Sequence, residues 1–442
     1  MARPVLLRWS RQKGIMMKRC VSRSALTLMT VAAFVGLAVA LARDERAIAQ
    51  ASNRPTLNDP VARLVRQLER REVSLEFRPG SGYLRSVLDR LDVNIDSQVL
   101  VFSKTSFQQP LISPRAPRAI FFNDRVAVGS VQGGDVLELM SLDPTQGFMF
   151  YTLDARQSDA PRFAPRGAEC VFCHLPGNHG AAGLVVASVI PDPQGLPLFT
   201  GSFFGTTDQR TPFDQRWGGW YVTGTHGSQT HMGNAVAPDP DRPGDLDQSA
   251  NGNVTTLAGR FDAAHYLTST SDIVALMTLA HQAGVTNRIL GLSRQYERSQ
   301  RGWGNDGDAR TLDDAIDDLA GHMLFVDEAP LREPVAGVST FTKTFPTRGP
   351  RDGRGRSLRD FDLRTRLFRH RLSYMVYSEA FDGMPARLLE RVYRRLYDVL
   401  TGNDTRERFA ALSADDRRTI LEIVRGTKAS LPGYWQLATS GH

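Results

Sequence analysis

Cysteine is scarce in this chain: three in 442 residues, Cys20, Cys170 and Cys173. That number excludes a disulfide-stapled scaffold. Acidic side chains are missing altogether from residues 1–24, and uncharged apolar runs of membrane-spanning length are missing after residue 42. The second absence excludes a polytopic membrane protein. A phosphate-cradling glycine loop, a nucleophile elbow around a serine and an internal repeat are absent too, which removes the nucleotide-hydrolase, serine-hydrolase and solenoid classes. What remains is ordinary in bulk, 41% hydrophobic and 23% charged, and long enough for two or three domains with their own cores.

The acid-free N-terminus carries Arg3, Arg8, Arg11, Lys13, Lys18, Arg19 and Arg23, and the uncharged run from Ala25 to Ala42 follows it. A basic segment, an apolar segment and small residues at Ala40/Ala42 and Ala47/Ala49 make the pattern of a cleaved secretory signal. The alternative is a retained anchor, since the run is near the lower limit for a bilayer span. Either reading sends the rest of the chain out of the cytoplasm, into a periplasm if the cell is bacterial. Removing residues 1–42 takes those seven basic groups away and leaves 47 basic against 47 acidic side chains. The high sequence pI of about 9.5 therefore reports the export segment. No nucleic-acid partner is expected, and membrane contact only through that segment.

Cys20 lies ahead of the apolar run, so the exported part keeps Cys170 and Cys173, followed at once by His174 in "GAECVFCH". C-x-x-C-H is the attachment pattern for haem c: each thiol adds across a vinyl group, and the adjoining imidazole lies to one side of the iron as its proximal ligand. A disulfide or thioredoxin-like pair would leave His174 without a role, and the segment does not read as part of a βαβ unit. A zinc site from Cys170, Cys173, His174 and His179 would place its second ligand pair unusually close. One covalent haem c is the expectation, and the export signal supports it, because attachment follows export.

With these residues the chain resembles a c-type cytochrome, and in particular the large bacterial exported proteins that contain a cytochrome c domain. "ECVFCH" (169–174), "RWGGWYVTGTHGSQTHMGN" (216–234), "SDIVALMTLAHQ" (271–282) and "FDLRTRLFRHRLSYMVYSEAFDGMP" (361–385) carry the resemblance. It implies haem binding and electron transfer and no particular substrate. Small soluble cytochromes c surround the motif with helices, whereas here the Val-, Gly- and Pro-rich residues 183–205 read as strand and turn.

A second strong ligand opposite His174 favours electron transfer, and an open position favours oxygen or peroxide chemistry. Four residues are candidates for that position. His226, His231 and Met232 share a glycine-flanked loop, and glycines let backbone approach a flat ligand. His281 lies on a helix that Ser271 can cap, with Asp272 in the first turn and Ile273, Leu276, Met277, Ala280 and Gly284 on one face. Trp217 and Trp220 either line the porphyrin edge, with an indole N–H free to hold a propionate, or pack structurally. The residues lead to an electron carrier first and a peroxidase- or oxygenase-like haem enzyme second.

The expected class is α+β. An amphipathic helix with Val61, Leu64, Val65 and Leu68 on one stripe precedes an antiparallel meander over 96–155, next to an irregular haem segment. A mainly helical region follows, with Pro385 opening a helix that Gly402 ends and Ser413 capping another with Asp416. The divisions read as 1–49 (signal and linker), 50–160 (helix and sheet), 161–240 (haem attachment and distal loop) and 241–442 (helical). Residues 351–372, with eight Arg and three Asp, are either a dock for an acidic redox partner protein or an internally paired surface.

Overall fold

The computed structural model describes residues 56–174, 181–198, 205–246, 248, 252–302 and 311–436. The expected signal segment, Cys20 and His179 lie outside them. Residues Leu57–His442 form one unit, distinct from Met1–Thr56.

The first helix, α1 (Pro60–Glu69), starts where the sequence places it. Asp59 caps it by accepting the Val61 and Ala62 N–H groups, and Pro60 fills the first position, where no donor is needed. The other Asp59 oxygen accepts the Tyr151 hydroxyl at 2.8 Å, so the cap also fastens α1 to the sheet. Val61 and Leu64 are buried, as their stripe predicts.

That sheet contains the expected meander: β1 (Val99–Val101), β2 (Arg118–Phe122), β3 (Val126–Ser130), β4 (Val136–Asp143) and β5 (Gly147–Asp154), each antiparallel to the next. Two additions were not predicted. β6 (Phe163–Arg166) pairs with β5, and the short strand Trp220–Tyr221 pairs with the free side of β1. The result is seven strands in the order β6-β5-β4-β3-β2-β1 followed by Trp220–Tyr221.

Strand alternation sorts the side chains into two cores. Leu100, Phe121, Val128, Leu139, Tyr151 and Leu153 face α1 and α2 (Leu84–Arg90). Val99, Val101, Phe122, Met140, Leu142 and Phe150 face the other way, into the larger core shared with the C-terminal helices. The fold is therefore α+β, with an antiparallel sheet between helices on both faces.

After a short helix α3 (Ala168–His174), the centre of the larger core is α4 (Ile273–Gln300). Every residue from Ile273 to Thr286 is buried, so the single apolar face expected from the sequence is wrong: this half of the helix is enclosed all round. The cap also differs. Asp272 caps α4, while the Ser271 hydroxyl donates to Tyr221 O at 2.5 Å and accepts from Leu100 N at 2.9 Å, joining helix to sheet. Helices α5 (Leu312–Met323), α6 (Ala386–Thr401) and α7 (Ala414–Thr427) complete the region. Ser413 and Asp416 form the predicted capping box. Gly402 ends α6 at φ 81°, a left-handed conformation that glycine adopts without steric cost. Pro385 sits one residue before the start of α6, at the cap.

The arginine-rich segment is largely paired. Arg351 bonds Asp360, Arg354 and Arg356 share Glu422, Arg356 also holds Asp352, and Arg359 pairs with Asp124. Arg371 donates to the Ala411 and Phe325 carbonyls. Arg364 and Arg369 are the exposed cations that remain.

Candidate functional site

β6 runs through Gly167 directly into α3, so Cys170, Cys173 and His174 lie on a helix that follows a strand. The sequence reading missed this strand-to-helix step. It makes no βαβ unit, because β6 is the sheet's last strand and pairs antiparallel with β5. On a helix, positions i, i+3 and i+4 share one face, so the two thiols and the imidazole share one. Both cysteines are free thiols, Cys170 half-buried against the larger core and Cys173 exposed. Burial, with Glu169 and Glu138 nearby, pushes the Cys170 thiol up from its ordinary value.

His174 is held from two sides. Its Nδ1 lies 2.7 Å from the Gly183 carbonyl, and the Gly183 N–H returns a bond to His174 O at 2.8 Å. Phe150 of β5 packs on the ring at 5.0 Å between centroids. Burial lowers the imidazole pKa, so the ring is neutral near pH 7. A neutral ring whose Nδ1 donates to a carbonyl carries its lone pair on Nε2, and no described residue bonds to Nε2.

The sheet face beside the motif is polar at this end. Arg118 of β2 reaches Glu138 of β4 at 2.6 Å, crossing β3 at Gly129. A Cβ there would lie 2.5 Å from the guanidinium, so glycine is what lets the pair close. The two charges act on His174 in opposite senses: Arg118 lowers its pKa and Glu138 raises it, both less than burial does. Arg166 donates to Thr152 Oγ1 at 2.9 Å in the same row.

His226 and His231 are brought together, with ring centroids 4.8 Å apart. Phe213 lies 5.7 Å from His226 and 6.1 Å from His231, and Trp217 lies 5.4 Å from His231. Both histidines are buried. Each has one nitrogen accepting a backbone N–H: His226 Nε2 from Asn253 at 3.0 Å, His231 Nδ1 from Gly233 at 3.0 Å. Burial lowers both pKa values, His231 to about 3. Met232 turns elsewhere and packs with Ile190 and Ala237, its sulfur 3.7 Å from Ser188 Oγ.

His281 stands apart from both groups. Its Nδ1 meets Gln209 Oε1 at 2.8 Å and its Nε2 meets Ser373 Oγ at 2.7 Å. Phe325 stacks on it at 4.5 Å. Both nitrogens are thus engaged, so of the four candidates for the sixth position His281 sits here as a satisfied core histidine with no free nitrogen to offer iron. His322 stacks 6.0 Å away, buried, with neither nitrogen hydrogen-bonded, and packs against Gly284 of α4.

Sequence reasoning missed Gly183, Phe150, Arg118, Glu138, Phe213 and Asn253, which act here through strand register and loop return and carry no local signal. It had set out both possibilities for the two tryptophans. The Trp220 indole N–H is taken by Ala187 O at 2.7 Å, whereas that of Trp217 has no partner. Among the described residues, no three His, Cys, Asp or Glu side chains converge to hold a metal ion by themselves. In comparisons with family models, curated proteins and solved structures, the chain matches none.

Proposed function

We propose that the chain is an exported c-type cytochrome that carries one haem c and transfers electrons one at a time to or from a redox partner protein. Cys170 and Cys173 would form the thioethers and His174 would be the proximal ligand. The observation that carries this reading is the Nδ1 bond of His174 to the Gly183 carbonyl. Metal-bound histidines usually hand their second nitrogen to such an acceptor, which fixes tautomer and ring orientation. Two free thiols on the same helix face complete a donor set that fits the group.

Bound haem c supplies a one-electron iron couple whose potential depends on ligands, burial and nearby charge. The chain's own part is to hold the imidazole. Gly183 keeps the proton on Nδ1, Phe150 limits ring rotation, and the Arg118–Glu138 pair keeps the sheet side near neutral. With most of the arginine-rich segment internally paired, Arg364 and Arg369 are the exposed cations left there to meet an acidic partner. The purified exported chain should show a Soret band and the added mass of one haem. Absence of both, from cells that mature other c-type cytochromes, ends this reading.

One observation favours the second reading, a haem enzyme with an open sixth position. His226 and His231 each have their lone pair engaged by a backbone N–H, and both nitrogens of His281 are bonded. High-spin ferric iron by EPR and carbon monoxide binding by the ferrous protein would favour the enzyme. Low-spin iron that ignores carbon monoxide would favour the carrier.

A further inference from the structure

Beside the rings of Phe213, Trp217, His226 and His231, two buried nitrogens, Trp217 Nε1 and His226 Nδ1, have no hydrogen-bond partner among the described residues, while the Gln229 backbone lies near enough to His226 to raise its pKa. Trp217 is fully buried and its Nε1–H has no partner among the described residues. His226 is equally enclosed, and its Nδ1 is also without one. Because Asn253 donates to Nε2, the neutral ring must carry its proton on Nδ1, so this atom too is a donor. Leaving a buried donor unpaired costs the full desolvation of that group, and here two sit around the same pair of rings. Phe213 touches both, at 5.2 Å from Trp217 and 5.7 Å from His226.

Charges of both signs lie around these rings: Glu333 acts on His226 and raises its pKa, and on the Trp217 side the charge is a cation. The buried Arg216 guanidinium lies 5.7 Å from the Phe213 ring and 5.9 Å from the Trp217 ring. It donates to the Thr211 and Gln209 carbonyls, which are neutral. The charges acting on it are Glu328, whose carboxyl burial pushes up to about 7, and Asp208. Asp208 is itself within 3.3 Å of both Arg210 and Arg288. Trp217 holds its place through a backbone φ of 66°, a left-handed value uncommon for a bulky side chain.

We infer that Trp217 Nε1–H and His226 Nδ1–H are a carboxylate-binding pair. This makes His226 a donor to an anion in place of the iron ligand the sequence suggested. The carboxylate could be a haem propionate or a small external carboxylate. The propionate source rests on the haem c reading above, while the donor pair does not depend on it.

Ultraviolet resonance Raman on the full-length protein tests this, because the indole band responds to hydrogen bonding at Nε1. Trp217→Phe assigns the band, and Trp9→Phe, Trp220→Phe, Trp303→Phe and Trp435→Phe together keep the assignment possible if that variant fails to fold. A bonded Trp217 signal without additive, together with a visible-excitation propionate band that shifts in His226→Phe and returns in His226→Asn, identifies the propionate. A signal that becomes bonded only on adding sodium formate, with an affinity about tenfold weaker in His226→Phe, as losing one bond to a charged acceptor predicts, identifies an external carboxylate. A Trp217 indole that stays unbonded with and without formate overturns the inference. A chain with no Soret band removes the haem reading alone, and the formate titration then decides this one.

Discussion

His174, half-buried, and His281, fully buried, are both imidazoles on helices with lowered pKa values, yet their nitrogens are used differently. At His174 a backbone carbonyl takes Nδ1 and leaves Nε2 without a described partner. At His281 a glutamine and a serine take both. The first arrangement presents a lone pair, and the second joins α4 to two distant segments. Helical placement and a lowered pKa, which the two share, do not separate a ligand from a core strut. The count of occupied nitrogens does.

Substitution at each site should break this comparison most sharply. His174→Ala is expected to remove most of the haem per chain in a pyridine haemochrome assay and to lower stability in urea by less than His281→Ala, since His174 is only half-buried. His281→Ala should do the reverse: full haem content and a loss of about 3 kcal/mol in urea unfolding, from a cavity and two broken buried bonds. Equal haem loss in both variants would erase the distinction.

Acid titration sharpens it next. His281 and His231 have folded pKa values of about 3 against about 6.5 unfolded. Their contribution is therefore present above pH 6.5 and is lost as pH falls towards 3. Stability should drop by on the order of a few kcal/mol between pH 6.5 and pH 4, and the slope should shrink in His281→Leu. Denaturant midpoints across that range check both.

Smaller effects belong to the close packing next to His281. A Cβ at Gly284 would stand 2.6 Å from His322 Nε2, so Gly284→Ala should cost about 1–3 kcal/mol by overpacking, read by thermal or urea unfolding. Smallest of all, Arg354→Ala breaks an exposed ion pair with Glu422 and should shift stability by about 0.5 kcal/mol or less.

The motif and the meander were legible because their signals are contiguous: C-x-x-C-H occupies five adjacent positions, and β1 to β5 follow one another along the chain. The same holds for the Ser413 capping box and Gly402. What escaped depends on residues far apart in sequence. Ser271 reads as a helix cap until Leu100 and Tyr221 come beside it. His281 reads as one of several candidate ligands until Gln209 and Ser373, 72 and 92 residues away, close on it. The arginine-rich run reads equally as a dock or an internally paired surface until Glu422 and Asp124 are seen to neutralise much of it.

The capping carboxylate of α4 reaches further than its own helix. Asp272 Oδ1 accepts from Val274 and Ala275, and Oδ2 from the Val338 and Ser339 amides and the Ser339 hydroxyl, 66 and 67 residues downstream. Neither the first turn of the helix nor the 338–339 loop can open without stripping that buried oxygen pair of donors. The four amide protons should therefore exchange with deuterium at one shared rate, as a single cooperative unit that bridges two remote stretches of chain.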